Sequence, residues 1–379
     1  MHSLRFAAYC GRHALRKRGI PAGVFDYGVL GQTVPQTASF YGLPWLMAEL
    51  GAHDVGGPTV NQACATSARI LSMAADAVRE GQSTVALAIS GDRVSNGPHL
   101  YYPNPKGPGG TGAHEDWVLD NFGRDPATGQ GMLRTAENVA GRHGISLSEQ
   151  NDVTLRRYEQ YQDAITDDRA FQRRYMDLPF EVPDASLSKP QDMLEGDEGI
   201  HPTTREGLQR LKPLADGGTV TYGTQTHPAD GTAALIVTTP ERAKELSSDP
   251  AVDIRILSSA QARVEKAFMP EAPVPASRQA LSRAGLSIDD IDAIKSHNPF
   301  AVNDIVFARS FNIGVMTLNN FGSSLVWGHP QGPTGLRSII ELIEELAQRG
   351  GGRGLFQGCA AGDTGMAVVV EVTDRRKAS

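Results

Sequence analysis

The sequence predicts an α/β fold built from one unit used twice, with a long insertion in the first copy. Three observations carry this. The segment Pro58-Thr-Val-Asn-Gln-Ala-Cys64 is extended, Ala68 to Glu80 is helical in pattern, and Thr84 to Ser90 is a continuous apolar run of the kind buried on both faces of a sheet, so the order is βαβ. The pattern then returns. Asn61-Gln-Ala-Cys64-Ala-Thr, helix, Glu80-Gly81, strand and Ser90-Gly91 match Asn319-Asn-Phe-Gly322-Ser-Ser, helix, Arg349-Gly350, strand and Gly358-Cys359. Between these copies the composition shifts to Asn, Pro, Gly and Tyr from Ser95 to Gln130, and Pro179 to Leu214 is irregular and charged, so 96–216 reads as an insertion that covers something.

In chain order, Leu4 to Arg18 is a helix stopped by Gly19 and Pro21. Tyr27 to Leu30 is a short strand, and a helix starts near Ser39. In the helix from Ala68, residues Ile70, Leu71, Ala74, Ala75 and Val78 form one apolar stripe, and Gly81 supplies the stop. Inside the insertion, Arg134 to His143 and Leu147 to Asp168 are helical. Regular structure resumes with strands at Gly218 to Gly223, Gly231 to Thr239 and, after a helix, Val252 to Ser259. The last third holds a helix at Pro275 to Ala284, strands at Ile291 to Lys295 and Val315 to Leu318, a helix at Thr334 to Arg349, and strands at Arg353 to Gln357 and Met366 to Val372. In that long helix Leu336, Ile339, Ile340, Ile343 and Leu346 form the buried stripe, with Glu341, Glu344 and Glu345 facing outward.

Composition excludes several classes. At 379 residues with 40% hydrophobic and 21% charged residues the chain is an ordinary globular protein of roughly two or three domains. A net charge of -7 leaves no basic face for nucleic acid. No apolar run is long enough for a membrane span. Cys10, Cys64 and Cys359 are too few and too scattered for a disulfide framework, and no Cys-x-x-Cys pair suggests a metal, so a reducing, cytoplasmic compartment is expected. Arg5, Arg12, Arg16, Lys17 and Arg18 precede the first acid, Asp26; this imitates a transit peptide but reads better as the exposed face of the first helix.

The chemistry gathers at loop junctions, where open α/β sheets place reactive groups. Cys64 stands at the start of a helix, where the dipole favours a thiolate over the thiol of ordinary pKa about 8.5. Alone, it fits a buried packing cysteine at least as well. Three further clusters follow: Ser296-His297-Asn298-Pro299-Phe300, Gly328-His329-Pro330, and Gly358-Cys359-Ala360-Ala361-Gly362-Asp363-Thr364-Gly365. A cysteine nucleophile needs a base, and histidine titrates nearest neutrality. Each histidine alone also suits a hydrogen-bonded loop, and Cys359 alone suits an apolar core. Their combination, on repeated units, points to nucleophilic catalysis.

These residues resemble the thiolase family. Val60-Asn-Gln-Ala-Cys-Ala-Thr-Ser is similar to its nucleophile segment, Gly328-His-Pro to its GHP motif, and Gly358-Cys-Ala-Ala-Gly-Asp-Thr-Gly to its C-terminal CxG segment. His297-Asn-Pro-Phe stands in place of the usual Asn-Glu-Ala-Phe and is closer to the His-Asp-Cys-Phe version of the sterol-carrier type. Thr135-Ala-Glu-Asn, Asp197-Glu-Gly, Leu211-Lys-Pro and Asp230-Gly lie between them, so the resemblance runs from about residue 22 to 373. It implies a thiolase fold: two βαβαβαββ halves in a five-layer α-β-α-β-α arrangement. The N-terminal half is then 1–95 with 217–248, the inserted loop domain over the coenzyme A (CoA) site is 96–216, and the C-terminal half is 249–379. The family's opening strand has no counterpart before Met1, so the N-terminal half is expected to be one strand short.

The resemblance also implies reversible thiolytic cleavage or Claisen condensation of 3-ketoacyl-CoA with acetyl-CoA, in lipid metabolism such as fatty acid β-oxidation, with CoA as substrate and no bound cofactor or metal. Cys64 would be the nucleophile, His329 its activator, Cys359 the acid and base at the α-carbon, and His297 part of the enolate site. Met132, Thr226 and Phe300 would contact the pantetheine arm, with Gly328 and Ala361 lining the substrate. Ala361 replaces the glycine of CxG but keeps a backbone N–H. A homodimer or homotetramer is the implied assembly. A thiolase-like acyl-CoA-binding platform for a partner protein is the alternative, against which the joint presence of both cysteines and His329 argues. A decarboxylating ketoacyl synthase shares the fold but normally pairs its cysteine with two histidines, and Cys359 counts against it.

Overall fold

A computed structural model describes residues 1–376. The chain opens with helix α1 (Ser3–Arg18), whose Leu4, Ala7, Ala8 and Leu15 are buried, and whose end is closed by Gly19 in the left-handed region. Strand β1 (Tyr27–Gly31), helix α2 (Gly42–Leu50), the two-residue strand β2 (Thr59–Val60), helix α3 (Thr66–Arg79) and strand β3 (Val85–Arg93) follow. Strands β4 (His99–Tyr102) and β5 (Ala113–Asp116) make a hairpin; helices α4 (Leu119–Gly123), α5 (Met132–His143) and α6 (Leu147–Arg169) come next. The stretch expected to be irregular holds a second hairpin, β6 (Phe180–Pro183) with β7 (Pro190–Leu194), and helix α7 (Arg205–Arg210).

Strand β8 (Asp230–Thr238) returns to the first sheet, antiparallel to β3, giving the order β2-β1-β3-β8. Helix α8 (Pro240–Leu246) leads to the second sheet, formed by β9 (Val252–Arg263), β10 (Ala293–His297), β11 (Gly351–Ala360) and β12 (Thr364–Asp374) in the order β10-β11-β12-β9. Its helices are α9 (Pro273–Ala284), α10 (Ala301–Phe311), the short α11 (Ser324–Trp327) and α12 (Thr334–Arg349).

Strand periodicity assigns the layers. On β3, Val85, Leu87 and Ile89 pack with α1 and α2, whereas Ala86 and Ala88 face α3 and α12. On β12, Met366, Val368, Val370 and Val372 face the same two inner helices, whereas Ala367 and Val369 pack with α9 and α10. Helices outside, two sheets, and α3 with α12 between them make the five-layer thiolase fold. Gly335 of α12 lies so close to α3 that a Cβ there would sit 2.8 Å from the Ser67 Cβ. Both inner helices therefore start at one place, in the middle of the molecule.

Three local expectations change. The segment Gly218 to Gly223 forms turns, not a strand: the Glu137 carboxylate accepts from the backbone N–H groups of Thr219 and Val220 at 2.9 and 2.8 Å, and Thr221 N–H donates to Thr224 Oγ1 at 2.9 Å. Val315 to Leu318 is a 3-10 turn held by Thr317 N–H and Oγ1 on the Gly314 carbonyl. The edge of β10 that such a strand would have paired is closed by Asn319, whose Oδ1 accepts from Ser296 N–H at 2.7 Å. Glu341 and Glu345 are buried, because α12 has neighbours on every side. Glu341 pairs with Lys295 at 3.2 Å and Arg337 at 3.0 Å, and Glu345 accepts from Asn320 at 2.7 Å.

Candidate active site

The segment before Cys64 builds its own turn. Asn61 Oδ1 accepts from Ala63 N–H at 2.9 Å; Thr66 Oγ1 accepts from Gln62 N–H at 2.8 Å and donates to the Ala63 carbonyl at 2.7 Å. Ala63 takes a φ of 46°, rare for a residue with a Cβ, and this bend delivers Cys64 two residues before α3 begins. The Cys64 Sγ lies 3.2 Å from His329 Nε2, and the backbone N–H of Ala361 is hydrogen-bonded to the same sulfur.

His329 is held at three points. Its N–H donates to the His227 carbonyl at 2.8 Å, its Nδ1 is 2.7 Å from Thr334 Oγ1, and its ring stacks on His297 with centroids 4.1 Å apart. Gly328 before it has φ 90°, and a Cβ there would lie 2.8 Å from both the Ala229 Cβ and His227 Nε2, so only glycine fits. His297 ends β10 with no exposed surface. Its Nδ1 is 3.1 Å from Ser324 Oγ, and its buried Nε2 has no partner among the described residues.

Cys359 sits one residue from the end of β11, opposite Gly365. Asn303 Nδ2 donates to its sulfur at 3.3 Å, and Phe300 and Met132 share its apolar cluster. Thr226 threads between the two histidine loops: its N–H donates to Pro299 at 2.7 Å, and its hydroxyl is already bonded to the Ser324 carbonyl. Cys64, His297, His329, Cys359 and Ala361 thus meet, with Gly328, Met132, Phe300 and Thr226 around them.

Burial decides the charge states. The Cys64 thiol is pushed up to about 11 by burial, against the pull of the N–H groups of Ala361 and its own residue. His329 is pushed down to about 3 by burial, and His297 falls well below its ordinary range through burial and the neighbouring His329. The Cys359 thiol is raised by burial and then by Cys64. Burial at the pair thus works against the thiolate that the helix start favours. A terminus dipole contributes only about 0.3–1 kcal/mol at an exposed site, whereas desolvation shifts buried groups by up to about 3–5 pKa units.

Several supporting residues escaped the sequence reading. Asn303 lies three positions after Phe300 and accepts from its N–H at 3.2 Å, a helix-start spacing that could have flagged it. Asp304 is fully buried and gathers Ser296 Oγ at 2.6 Å, Asn298 Nδ2 at 2.7 Å and Arg157 Nε at 2.8 Å, fixing the His297 loop. Asp92 accepts from the N–H groups of Val34 and Gly332, each at 2.9 Å, while the Gly332 carbonyl accepts from Ser67. Asp92 and Ser67 so tie the start of α3 to the His329 loop. Thr334, Ser324 and Asp92 carry no motif that marks them.

The thiolase N-terminal domain matches residues 2–241 and the thiolase C-terminal domain residues 251–372. An acetyl-CoA acetyltransferase of Syntrophomonas wolfei subsp. wolfei is 29% identical over 97% of this chain and 93% of its own length. A 3-ketoacyl-CoA thiolase of Pseudoalteromonas translucida is 31% identical over 93% of this chain and 87% of its own. Human mitochondrial 3-ketoacyl-CoA thiolase superposes with a TM-score of 0.88 at 25% identity, covering 97% of this chain and 92% of that one; a structure of it in complex with CoA gives 0.86. With both family domains matched along nearly the whole chain, the protein belongs to the thiolase family of acyltransferases.

Proposed function

We propose that the chain is a 3-ketoacyl-CoA thiolase or acetyl-CoA acetyltransferase that works through Cys64, with CoA and acyl-CoA as its substrates. The observation that carries this is the Cys64 Sγ, 3.2 Å from His329 Nε2, with the second buried thiol of Cys359 beside it. The thiol gives its proton to His329 as the sulfur attacks the keto carbon, so neither group has to hold a buried charge beforehand. Collapse of that adduct breaks the bond between the α- and β-carbons. The acetyl-CoA enolate leaves, Cys359 protonates its carbon, and the acyl group stays on Cys64 until a CoA thiol removes it.

The enolate oxygen is the difficult charge. His329, now carrying the proton from Cys64, and the unpartnered His297 Nε2 receive it, and the N–H groups of Cys64 and Ala361 receive the oxygen of the thioester adduct. Met132, Phe300 and Thr226 line the arm of the substrate. The Thr226 hydroxyl already donates to Ser324, so an acceptor lone pair is what it offers.

The domain reading remains 1–95 with 217–248, an inserted 96–216 and 249–379, supported by the return of the chain to the first sheet at β8. Three free cysteines support a reducing cytoplasmic setting, and the exposed Phe40 and Tyr41 support assembly into a homodimer or homotetramer. No helix among the described residues is long and apolar enough to cross a membrane.

The test is thiolysis of acetoacetyl-CoA and a longer 3-ketoacyl-CoA by wild type, Cys64→Ala and Cys359→Ala. Turnover should vanish in Cys64→Ala and fall by about 10²–10⁴ in Cys359→Ala, the usual worth of a positioned acid–base group. The preferred chain length separates biosynthetic from degradative roles. A folded wild type that binds acyl-CoA without turnover would instead favour the binding platform.

A further inference from the structure

The two buried thiols differ in what meets their sulfur. Cys64 has an imidazole nitrogen at 3.2 Å, whereas among the described residues no histidine is bonded to Cys359. The side chain that is bonded to it belongs to Asn303, whose Nδ2 donates at 3.3 Å. That amide is buried and its direction is fixed. Its Oδ1 accepts from Phe300 N–H at 3.2 Å, and an N–H can meet only the acceptor end of an amide, so Nδ2 is left for the sulfur. Asn303 is the third residue of α10, and its own N–H donates to the Phe300 carbonyl at 3.1 Å. The donor thus stands on the first turn, at the end of a helix that carries partial positive charge.

We propose that Asn303 is the positioning residue for Cys359, its amide bearing the thiolate left when this cysteine gives its proton to the α-carbon. The inference rests on the role proposed above for Cys359. In thiolysis the S–H bond breaks and sulfur keeps its electron pair, while the pair of the enolate forms the new C–H bond. The proton of the incoming CoA thiol then restores the Cys359 thiol as the CoA sulfur attacks the acyl group on Cys64. A thiol is a weak acceptor, and a hydrogen bond to an ionised group is roughly twice as strong as a neutral one, so the Asn303 N–H gains strength as the proton leaves. It favours the charged state without placing a charge beside the resting one. Burial and Cys64 both push the Cys359 thiol up, the neutral His297 and His329 add no charge, and the Asn303 bond opposes the rise.

The experiment uses the whole chain and follows alkylation of Cys359 by iodoacetamide from pH 7 to pH 10, resolved from Cys10 and Cys64 by mass spectrometry of the peptides. Asn303→Ala removes the bonds to both Phe300 and the sulfur; Asn303→Asp keeps an acceptor for the Phe300 N–H and puts a carboxylate where the donor was. In both variants the Cys359 rate at pH 8 should fall about 10–100-fold, the usual contribution of one hydrogen bond to a charged group. The profile should move to higher pH, with Cys10 alkylated as in wild type. For thiolysis kcat should fall by a similar factor and KM by less than about twofold, because the amide acts through Cys359 and not on substrate. A Cys359 profile unchanged in Asn303→Asp, with Tm showing that variant folded, would overturn the proposal, and so would a loss confined to KM. A wild type without thiolysis, in which Asn303 still governs Cys359 alkylation, would sink the catalytic reading and still support Asn303 as the group that bears the thiolate.

Discussion

The two halves solve the same packing problem with unequal means. In the C-terminal sheet, β12 is paired on both sides, by β11 and by β9, and is buried nearly throughout. In the N-terminal sheet its counterpart β8 is paired only with β3; among the described residues no strand pairs with its other edge, and none of its residues is fully buried. The chemistry divides as unevenly: the first half brings Cys64, and the second brings His297, His329, Cys359 and the Ala361 N–H. The better-sheathed half carries the groups that must stay neutral. An open edge of this kind is also a template for another strand.

The largest expected difference between the halves is in their response to acid. The second half buries two neutral histidines, one with its pKa near 3 and the other well below the ordinary value of about 6.5; unfolding lets both take up protons. Each therefore lowers stability as pH falls from about 6.5, by about 1.4 kcal/mol per pH unit. The first half buries Asp92, whose carboxyl burial raises to about 6 against four bonds from Val34, Thr33 and Gly332. Between about 4 and 6 the folded state holds that proton and the unfolded state does not, so Asp92 acts in the opposite direction. Two histidines against one acid leave a net loss of about 1.4 kcal/mol per pH unit from these groups. Denaturant midpoints measured from pH 6 to pH 4.5 should show a slope shallower by that amount in His297→Asn; an unchanged slope would mean that His297 is charged or solvated in the fold.

Core truncation should sharpen the contrast next. Leu355 of β11 is fully buried, so Leu355→Ala should cost about 2–5 kcal/mol. Leu235 of β8 is half-buried, and Leu235→Ala should cost less than about 2 kcal/mol by the same loss of methylenes. Equal costs, read from urea unfolding, would mean that β8 is covered in solution. The finest test is amide hydrogen exchange. Alternate N–H groups along β8 should exchange fast, whereas all those within β12 should be protected; slow exchange along the whole of β8 would show its free edge taken by another strand.

Much of this was legible in the residues themselves. The repeated units and the two inner helices follow from apolar periodicity, and the four candidate-site segments from motifs at loop junctions that resemble the family. The misplaced glutamates trace to the crowded middle layer. A helix with Glu341 and Glu345 reads as amphipathic when one side is assumed to face water, but α12 lies between two sheets, where Lys295 and Asn320 supply the partners that water would have been. Local helix position likewise says nothing about how far later segments enclose the Cys64 sulfur, and that enclosure raises its thiol. Val315 to Leu318 has strand-like composition, yet a side chain, Asn319, took the sheet edge first.

The 265 residues between Cys64 and His329 set an order of events on the ribosome. At synthesis rates of about 5–20 residues per second, the thiol emerges roughly 13–53 seconds before its base exists. Throughout that interval it is an ordinary exposed cysteine, with neither the imidazole to accept its proton nor the Ala361 N–H beside its sulfur. On the proposed reading, reactivity toward thioesters is therefore a property of the finished chain, and a truncated translation product carries Cys64 without the partner that would activate it.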